Sequence, residues 1–333
     1  MNYHISDESI DRIKKHPAMY TGTTDIWGVH NLIFGFVKDL IIESGQTNFC
    51  MEIHTDEFNI FHITCNSPIG ERAYFSHKII ETLSSDYAFS VQQDMFRLMF
   101  TPDREVFSYD IVEYHSLLSR LTELAQLNKN VKFILTNQEN RNVIQFQRGL
   151  EVMLMEGIYP FSQMREAKPL CSSFSKNGIE VCVSMIYAYA SDVTLSYVNY
   201  DKTPDGGTHV EGLCDGLLCA FQEYIQNTDI QFHKNHPAFF LMEKIDGKPY
   251  CFDQKPHILG SDVVEGLNFV ISLNMSDPVY AGSTRRMLDD EAAYTFIKEG
   301  VAESMKTVWE SDPSFFYISN VVQKAELRKI MSE

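Results

Sequence analysis

The chain has 333 residues, enough for two domains of common size, and its 44% hydrophobic and 12% aromatic content is typical of a globular protein. The formal net charge of −17, from 45 acidic and 28 basic residues, disfavours a protein that grips duplex DNA through phosphate contacts. No apolar run reaches the roughly 18 to 20 residues that span a bilayer. The first residues lack a signal-peptide pattern, so we expect a cytoplasmic protein without a membrane segment.

The first elements predicted along the chain are short helices followed by paired strands. "DESIDRIKKHP" predicts a helix that Ser6 or Asp7 caps and that ends before Pro17. After a second, longer helix, alternating residues predict two paired strands in "NFCMEIHTDEFNIFHITCN" and further strand structure in "YAFSVQQDMFRLMF". A leucine-rich helix in "YHSLLSRLTELAQLNKN" and a buried strand in "VKFILTN" come next.

The longer helix is predicted in "HNLIFGFVKDLIIES", residues 30–44, where apolar side chains recur at helical spacing. Gly35, Asp39 and Ile42 follow the spacing i, i+4, i+7 on its other side. Residues at this spacing lie in one line along a helix, so the three would face whatever cavity the helix borders. That line contains a single carboxylate.

The second half of the chain mixes strands and helices without strict alternation. Strands are predicted in "GIEVCVSMIYA", "DVTLSYVNY" and "LNFVISLNM", and helices in "VEGLCDGLLCAFQEYIQ" and at the C-terminal end. A turn is predicted in "TPDGGTH" and a hairpin through Asp246 and Gly247. This order indicates an α+β protein with layered domains and not a doubly wound parallel sheet.

Five segments, in order, resemble the N-terminal region of the DNA gyrase B protein and of its relative in topoisomerase IV. They are "RIKKHPAMYTGTT", "GVHNLIFGFVKD", "LTELAQLNKNVKFILTN", "YVNYDKTPDGGTHVEGL" and "VVEGLNFVISLNMSDPVYAGSTRRML". The resemblance implies a Bergerat-type (GHKL) α/β sandwich over residues 1–160 and a gyrase-B-like transducer domain over residues 161–333. From the resemblance we expect a chain that ends near Glu333, before the family's DNA-cleavage module, and that has a shortened N-terminal dimerisation arm.

The resemblance also implies a nucleotide site whose catalytic residues have changed. In the family, a glutamate on the long helix activates water and an asparagine one turn later holds magnesium, roles that require a carboxylate and a neutral oxygen ligand. The matching positions here are Gly35 and Asp39, and Ile42 stands where the family has an aspartate. Glu43 cannot replace the base, because one residue along a helix turns the side chain by about 100°. No catalytic residue is therefore expected.

The adenine motif and the glycine-rich lid of the family are altered as well. Asn66 and Ser67 stand where the family's D-x-G-x-G motif has its aspartate and first glycine, so recognition of the base is weakened. Between Gly70 and Tyr87 the chain has no glycine, and the segment whose amides would wrap the triphosphate is absent. This is the strongest argument from sequence against ATP binding.

Two features of the transducer-like half also bear on the nucleotide. The family's Q-T-K loop, whose lysine reaches the terminal phosphate, becomes Ser283-Thr284-Arg285, and arginine is a competent phosphate ligand. We favour the alternative that Arg285 and Arg286 are surface cations that pair with Asp289 or Asp290. The structural turn of the family is intact, and its glycines serve chain geometry. Its residues are Gly206, Gly207, Thr208 and His209.

Other chemistry has little support in the sequence. Seven scattered cysteines without a C-x-x-C pair predict free thiols, and His233 and His236 lack further ligands for a zinc site, so no metal site is expected.

Three hypotheses remain for function. We favour a catalytically inactive pseudo-ATPase that needs no cofactor and binds another protein, with gyrase or topoisomerase IV as the candidate partner. The second is a divergent GHKL protein that binds ATP and magnesium through Asp39, Asn66 and Arg285. The third is an acidic DNA mimic, suggested by the net charge of −17. Direct DNA binding is disfavoured, and a homo-oligomer stays open.

Overall fold

The structure, a computed structural model, describes residues 5–45, 49–67, 69–92, 95–109, 112–158, 168–188, 191–227, 257–311 and 315–332. The chain divides into two compact units, Met1–Val152 and Met153–Glu333. Each unit has its own sheet and is described by itself. The predicted boundary at residue 160 between an ATPase-like and a transducer-like domain stays a prediction.

The first unit is built on a six-stranded mixed sheet with the order β3-β4-β2-β1-β5-β6. Only the β1–β5 pair is parallel, and the other neighbours are antiparallel. The strands are β1 Phe49–Thr55, β2 Phe61–Cys65, β3 Ser84–Gln92, β4 Met95–Pro102, β5 Val131–Thr136 and β6 Arg141–Ile144. The helices are α1 Asp7–Lys15, α2 Ala18–Thr21, α3 Ile26–Glu43, α4 Glu71–Thr82 and α5 Tyr114–Leu127. The residue at which the sequence divides into units falls within α6, Gly149–Ile158.

Local caps explain where the first helices begin. The Ser6 hydroxyl accepts a hydrogen bond from the Ser9 amide, so of the two predicted caps of α1 Ser6 is the one used. The Asp25 carboxylate accepts the amides of Trp27, at 2.9 Å, and Gly28, so α3 begins at Ile26, four residues before the segment predicted from periodicity. The apolar face of α3 is buried, which fixes the orientation of its other face.

The second unit contains a five-stranded sheet with the order β10-β9-β11-β8-β7. Its strands are β7 Leu170–Lys176, β8 Ile179–Tyr187, β9 Thr194–Val198, β10 Asp201–Lys202 and β11 Leu267–Asn274. Its helices are α7 Thr208–Asn227, α8 Gly260–Val264, α9 Glu291–Ser311 and α10 Phe315–Ser332. β11 lies between β8 and β9, antiparallel to the first and parallel to the second.

Small residues bring the two long helices of this unit together. A Cβ atom built at Gly212 on α7 would lie 2.8 Å from the Tyr294 carbonyl oxygen of α9, and one at Gly216 would lie 2.7 Å from that of Lys298. Only glycine permits this distance between the helix backbones. Trp309 of α9 is buried beside Phe221 of α7, with ring centroids 4.9 Å apart.

The hairpin predicted through Asp246 and Gly247 lies outside the described residues. Within the described parts of the chain, the helices are too short or too polar to cross a membrane.

Candidate functional site

The site predicted from sequence lies on α3, along the side that does not face the core. Gly35, Asp39 and Ile42 are all half-buried, whereas the neighbouring apolar residues Phe36, Val37, Leu40 and Ile41 are fully buried. A Cβ atom built at Gly35 would meet no atom within 4 Å. Gly35 therefore borders open space, and a larger side chain could stand there without displacing a neighbour.

Asp39 contacts the next helix instead of open solvent. Its carboxylate accepts a short hydrogen bond from the Ser76 hydroxyl of α4. Burial raises the pKa of Asp39 above its usual range, while the Ser76 hydrogen bond and the charge of Lys38 oppose that rise. A carboxylate that is already hydrogen-bonded and shifted towards its neutral form is a poor ligand for a divalent cation.

Glu43, one turn beyond Asp39, binds the first turn of α4. Its carboxylate oxygens accept the backbone amides of Gly70 at 2.9 Å, Arg72 at 2.7 Å and Ala73 at 3.2 Å. These N–H groups have no partner within their own helix, and Gly70, the N-cap residue, supplies no side-chain cap. Glu43 thus caps α4 from a distance of 27 residues along the chain.

The contacts between α3 and α4 show the relative direction of the two helices. As the chain advances along α3 from Asp39 to Glu43, the partner positions on α4 move backwards from Ser76 to Arg72. The two helices are therefore antiparallel where they touch, and residues one turn apart on each helix meet in register. Gly70 permits the closest contact, because a Cβ atom there would lie 2.7 Å from Glu43 Oε2.

Asn66 and Ser67, predicted remnants of the adenine pocket, lie in the short connection between β2 and α4. The Asn66 side-chain oxygen accepts the backbone amide of Cys50 at 2.7 Å, and Ser67 is buried. The side-chain oxygen that could accept a hydrogen bond from adenine thus already accepts one that joins the ends of β1 and β2. Only residues 66–70 separate β2 from α4, which leaves no room for a lid.

The family resemblance would bring ATP and magnesium to this place, and the residues present do not fit them. Phosphate groups bind at helix N-termini through free backbone amides. Here the amides of the first turn of α4 carry the Glu43 carboxylate, and a second carboxylate, Asp39, lies one turn away. A triphosphate would have to displace one negative group and approach another, which Coulomb repulsion opposes.

The turn from Asp205 to His209 holds together distant parts of the second unit. Gly207 has a φ of 120°, and a Cβ atom there would overlap the backbone of Leu288. The Leu288 amide donates to the Gly206 carbonyl at 3.1 Å, and the Thr208 amide donates to the Leu288 carbonyl at 3.0 Å. These contacts fix the geometry of the chain at this turn.

His209 is fully buried at the start of α7. Its Nε2 atom shares a 3.0 Å hydrogen bond with the Thr203 hydroxyl, and Nδ1 has no hydrogen-bond partner in the described part of the chain. Burial lowers the pKa of His209 to about 4, so the ring is neutral at physiological pH. The histidine therefore packs inside the fold as an uncharged ring.

The predicted pairing of the arginines near residue 285 is wrong. The Arg286 guanidinium donates to Asp205, through Nε at 2.7 Å and Nη2 at 2.9 Å, and not to Asp289 or Asp290. Asp290 instead accepts the Ala293 amide at 3.0 Å, at the start of α9. Arg285 is exposed, has a φ of 54°, and its guanidinium lies 5.8 Å from the centre of the Tyr280 ring.

Metal and thiol chemistry has few candidates among the described residues. That part of the chain contains no group of three or more His, Cys, Asp or Glu side chains able to hold a metal ion. His233, His236 and Cys251 lie outside it. The six described cysteines are free thiols, as predicted, and burial raises the pKa of Cys65 to about 12 and that of Cys214 to about 11.

Glu43 is the residue of this site whose contacts were not predicted from the sequence. From sequence it is only a possible replacement for the catalytic base, and its position on the helix excludes that role. The available signal was the start of α4, where Gly70 offers no Ser, Thr, Asp or Asn side chain to cap the helix. The first amides of a helix without a local cap are satisfied by water or by a group from elsewhere in the fold, and here that group is Glu43.

Comparisons of the sequence with known proteins all lead to DNA gyrase B and its counterpart in topoisomerase IV. A sequence model of the DNA gyrase B family matches residues 127–331, more than half of the chain. The DNA gyrase B protein of Halalkalibacterium halodurans is 24% identical over 357 residues, which cover 86% of this chain and 52% of that protein. The corresponding B protein of DNA topoisomerase 4 from Bacillus subtilis is 21% identical over an alignment 396 residues long with its gaps. The alignment covers 97% of this chain and 56% of that protein. The chain thus spans about half the length of these relatives.

Solved structures extend the similarity to the fold. The 43K ATPase domain of Thermus thermophilus gyrase B, in complex with an aminocoumarin, has a TM-score of 0.75 at 18% identity, over 96% of this chain and 94% of that one. The topoisomerase IV ATP-binding domain of Francisella tularensis, in complex with a small-molecule inhibitor, has a TM-score of 0.70 at 18% identity, over 96% and 97%. The predicted α+β fold, a GHKL sandwich followed by a transducer domain, is confirmed.

Proposed function

The chain belongs to the DNA gyrase B family and is a relative of the ATPase component of type II topoisomerases, and from this premise we propose that it is catalytically inactive and acts by binding another protein. The observation that carries the proposal is the half-buried Gly35, which borders open space where the family has its general base.

No other carboxylate of α3 is placed to act for the missing base. A general base must lie within hydrogen-bond reach, about 3 Å, of the water that it activates. Glu43 is eight residues from Gly35, or about 12 Å along the helix axis, and its oxygens are bound to amides of α4. Asp39 lies about 6 Å along the axis and is held by Ser76.

A chain of this fold that no longer binds nucleotide would retain protein binding as its role. The similarity covers 96% of the chain in the gyrase and topoisomerase IV structures, which supports a retained fold of the family's ATPase region, whereas the position of the family's base is Gly35 here. We therefore propose gyrase or topoisomerase IV as the candidate partner, and a cytoplasmic location. The net charge of −17 favours a partner with a basic surface and disfavours direct contact with DNA.

Calorimetric titration with magnesium-ATP tests the inactive state, with the N-terminal region of an active gyrase B protein as the positive control. We expect no heat of binding and no hydrolysis by this chain at millimolar ATP. Binding with micromolar affinity would overturn the proposal and favour the alternative of a divergent ATP-binding protein.

A second experiment tests the partner. The purified chain is titrated against purified gyrase and topoisomerase IV, and both direct binding and DNA supercoiling or decatenation are measured. We expect binding to one of the two enzymes that alters its activity. Absence of binding to both would remove this partner assignment.

A further inference from the structure

We propose that the free edge of β3 pairs with the same strand of a second copy of this chain, so that two six-stranded sheets join into one. The inference goes beyond the proposed function, because it concerns self-association and requires no other protein. β3, Ser84–Gln92, is the outermost strand of its sheet, and among the described residues its one strand neighbour is β4. Its outer edge therefore presents backbone N–H and C=O groups that a further strand can bind.

β3 lacks the features that protect the other sheet edges from pairing. Its sequence, SSDYAFSVQ, is nine residues long without lysine, arginine or proline, and most of its residues are exposed. By contrast, the edge strand β10 has two residues, β6 has four and begins with Arg141, and β7 ends with Lys176. Short strands and basic side chains protect an edge from a second chain. β3 is therefore the least protected edge of the two described sheets.

A twofold axis through the middle of β3 gives a register in which the strand complements itself. The regular part of the strand runs from Asp86, after a register shift, to Gln92, and Phe89 is its midpoint. In an antiparallel pair centred there, Phe89 faces its own copy and Tyr87 faces Val91 of the second copy. Opposite residues share one face of the sheet, so each of these pairs is formed by neighbouring side chains.

The pairing covers an apolar side chain that is otherwise exposed. Tyr87 and Phe89 both contact His77 of α4, and the Phe89 ring centroid lies 4.3 Å from that of His77. Val91 lies on the same face of the strand but is 60% exposed. In the proposed register the aromatic ring of Tyr87 from the second copy packs against Val91, a cross-strand pair that stabilises sheets.

The charge of the strand also favours a second copy as the occupant. Asp86 is the one charged residue of β3, and in this register it faces Gln92 of the second copy and not another carboxylate. Two chains that each carry a net charge of −17 repel one another over most of their surfaces. A nearly neutral strand that opposes no like charges lets two such chains approach.

Two substitutions at Gln92 test both the pairing and its register. Gln92→Lys places a cation opposite Asp86 at both ends of the contact, and Gln92→Asp places a like charge there. Sedimentation velocity is measured on the full chain and both variants from about 1 to about 200 μM, a range suited to a small interface. We expect a concentration-dependent dimer, tighter in Gln92→Lys and weaker in Gln92→Asp. Because each charge pair occurs twice, the two dissociation constants should differ by about tenfold or more.

The matched control is the same two substitutions at Gln147, an exposed residue of the first unit outside β3. They change the net charge equally and so measure how far charge alone alters association. Gln92 is exposed too, so its variants should fold and melt as the wild type does. A wild type that stays monomeric at the highest concentration overturns the inference. A dimer whose dissociation constant responds equally at both positions overturns it as well.

Hydrogen exchange provides a second measurement on the unmodified chain. Alternate amides of β3 should exchange more slowly at high than at low protein concentration, because in the dimer they donate to the second copy. Amides of β6, the other edge of the same sheet, should exchange at the same rate at both concentrations. Dimerisation without a change in the exchange of β3 would place the contact elsewhere, and the inference would be wrong.

Discussion

The buried ring of His209 should make the stability of the second unit depend on pH. The ring lies inside the fold with a single hydrogen bond, between Nε2 and the Thr203 hydroxyl, and burial lowers its pKa to about 4 from the usual 6.5. The folded unit therefore keeps the ring neutral over a range in which the unfolded chain takes up a proton. Because the folded pKa is depressed, the stabilisation is complete above pH 6.5 and falls as the pH drops towards 4.

The size of the effect follows from this difference in pKa. A shift of about 2.5 pH units corresponds to about 3 kcal/mol of unfolding free energy, lost at up to about 1.4 kcal/mol per pH unit. About 2 kcal/mol of this is already lost at about pH 5, where most carboxylates still retain their charge. The wild type should thus lose about 2 kcal/mol more between about pH 7 and pH 5 than a variant that lacks the imidazole.

Urea unfolding followed by tryptophan fluorescence provides the assay. The chain has two tryptophans, of which Trp309 is buried in the second unit and Trp27 is exposed. In a Trp27→Phe background the signal therefore reports the second unit alone. His209→Gln removes the titrating group and keeps a side chain able to bond Thr203, and His257→Gln, at an exposed position of the same unit, is the control. If His209→Gln and the control lose equal stability over this pH range, burial of the His209 ring does not cause the pH dependence.

Two further predictions concern glycines. Gly207→Ala should destabilise the second unit by about 3 to 5 kcal/mol, because the methyl group would overlap the backbone of Leu288 at a φ of 120° and break two backbone hydrogen bonds. The control is Gly178→Ala, at a φ of 79° with no atom within 4 Å, which should lower the free energy of unfolding by only about 1 kcal/mol. Equal losses for the two variants in urea unfolding would contradict the role of the Gly207 contact with Leu288. Gly35→Glu should fold normally, since it meets no neighbour, and a phosphate-release assay should detect no ATP hydrolysis; measurable turnover would show that phosphate binding survives.

Local patterns were sufficient to predict most of the elements. The periodicity of α3, α5 and α7 and the alternation in β1 and β2 depend on burial of one face, which each sequence segment encodes by itself. α6 was not predicted and is a helix of only ten residues.

The order of the strands in each sheet could not be predicted from local patterns. β8 and β9 follow each other in the sequence, but β11, from about 70 residues later, lies between them. Alternation reports which face of a strand is buried and does not identify its neighbours.

At the candidate nucleotide site, too, one feature could be predicted from the sequence and another could not. The missing base at Gly35 is visible by comparison with the family motif, because it is the identity of one residue at one position. The contact of Glu43 with α4 is not visible in this way, since it depends on the antiparallel packing of two helices and on the space left by Gly70. A step of one residue turns a helical side chain by about 100°, which excludes Glu43 as a replacement for the base. That same rotation, combined with two turns of displacement along α3, brings Glu43 to the amides at the start of α4.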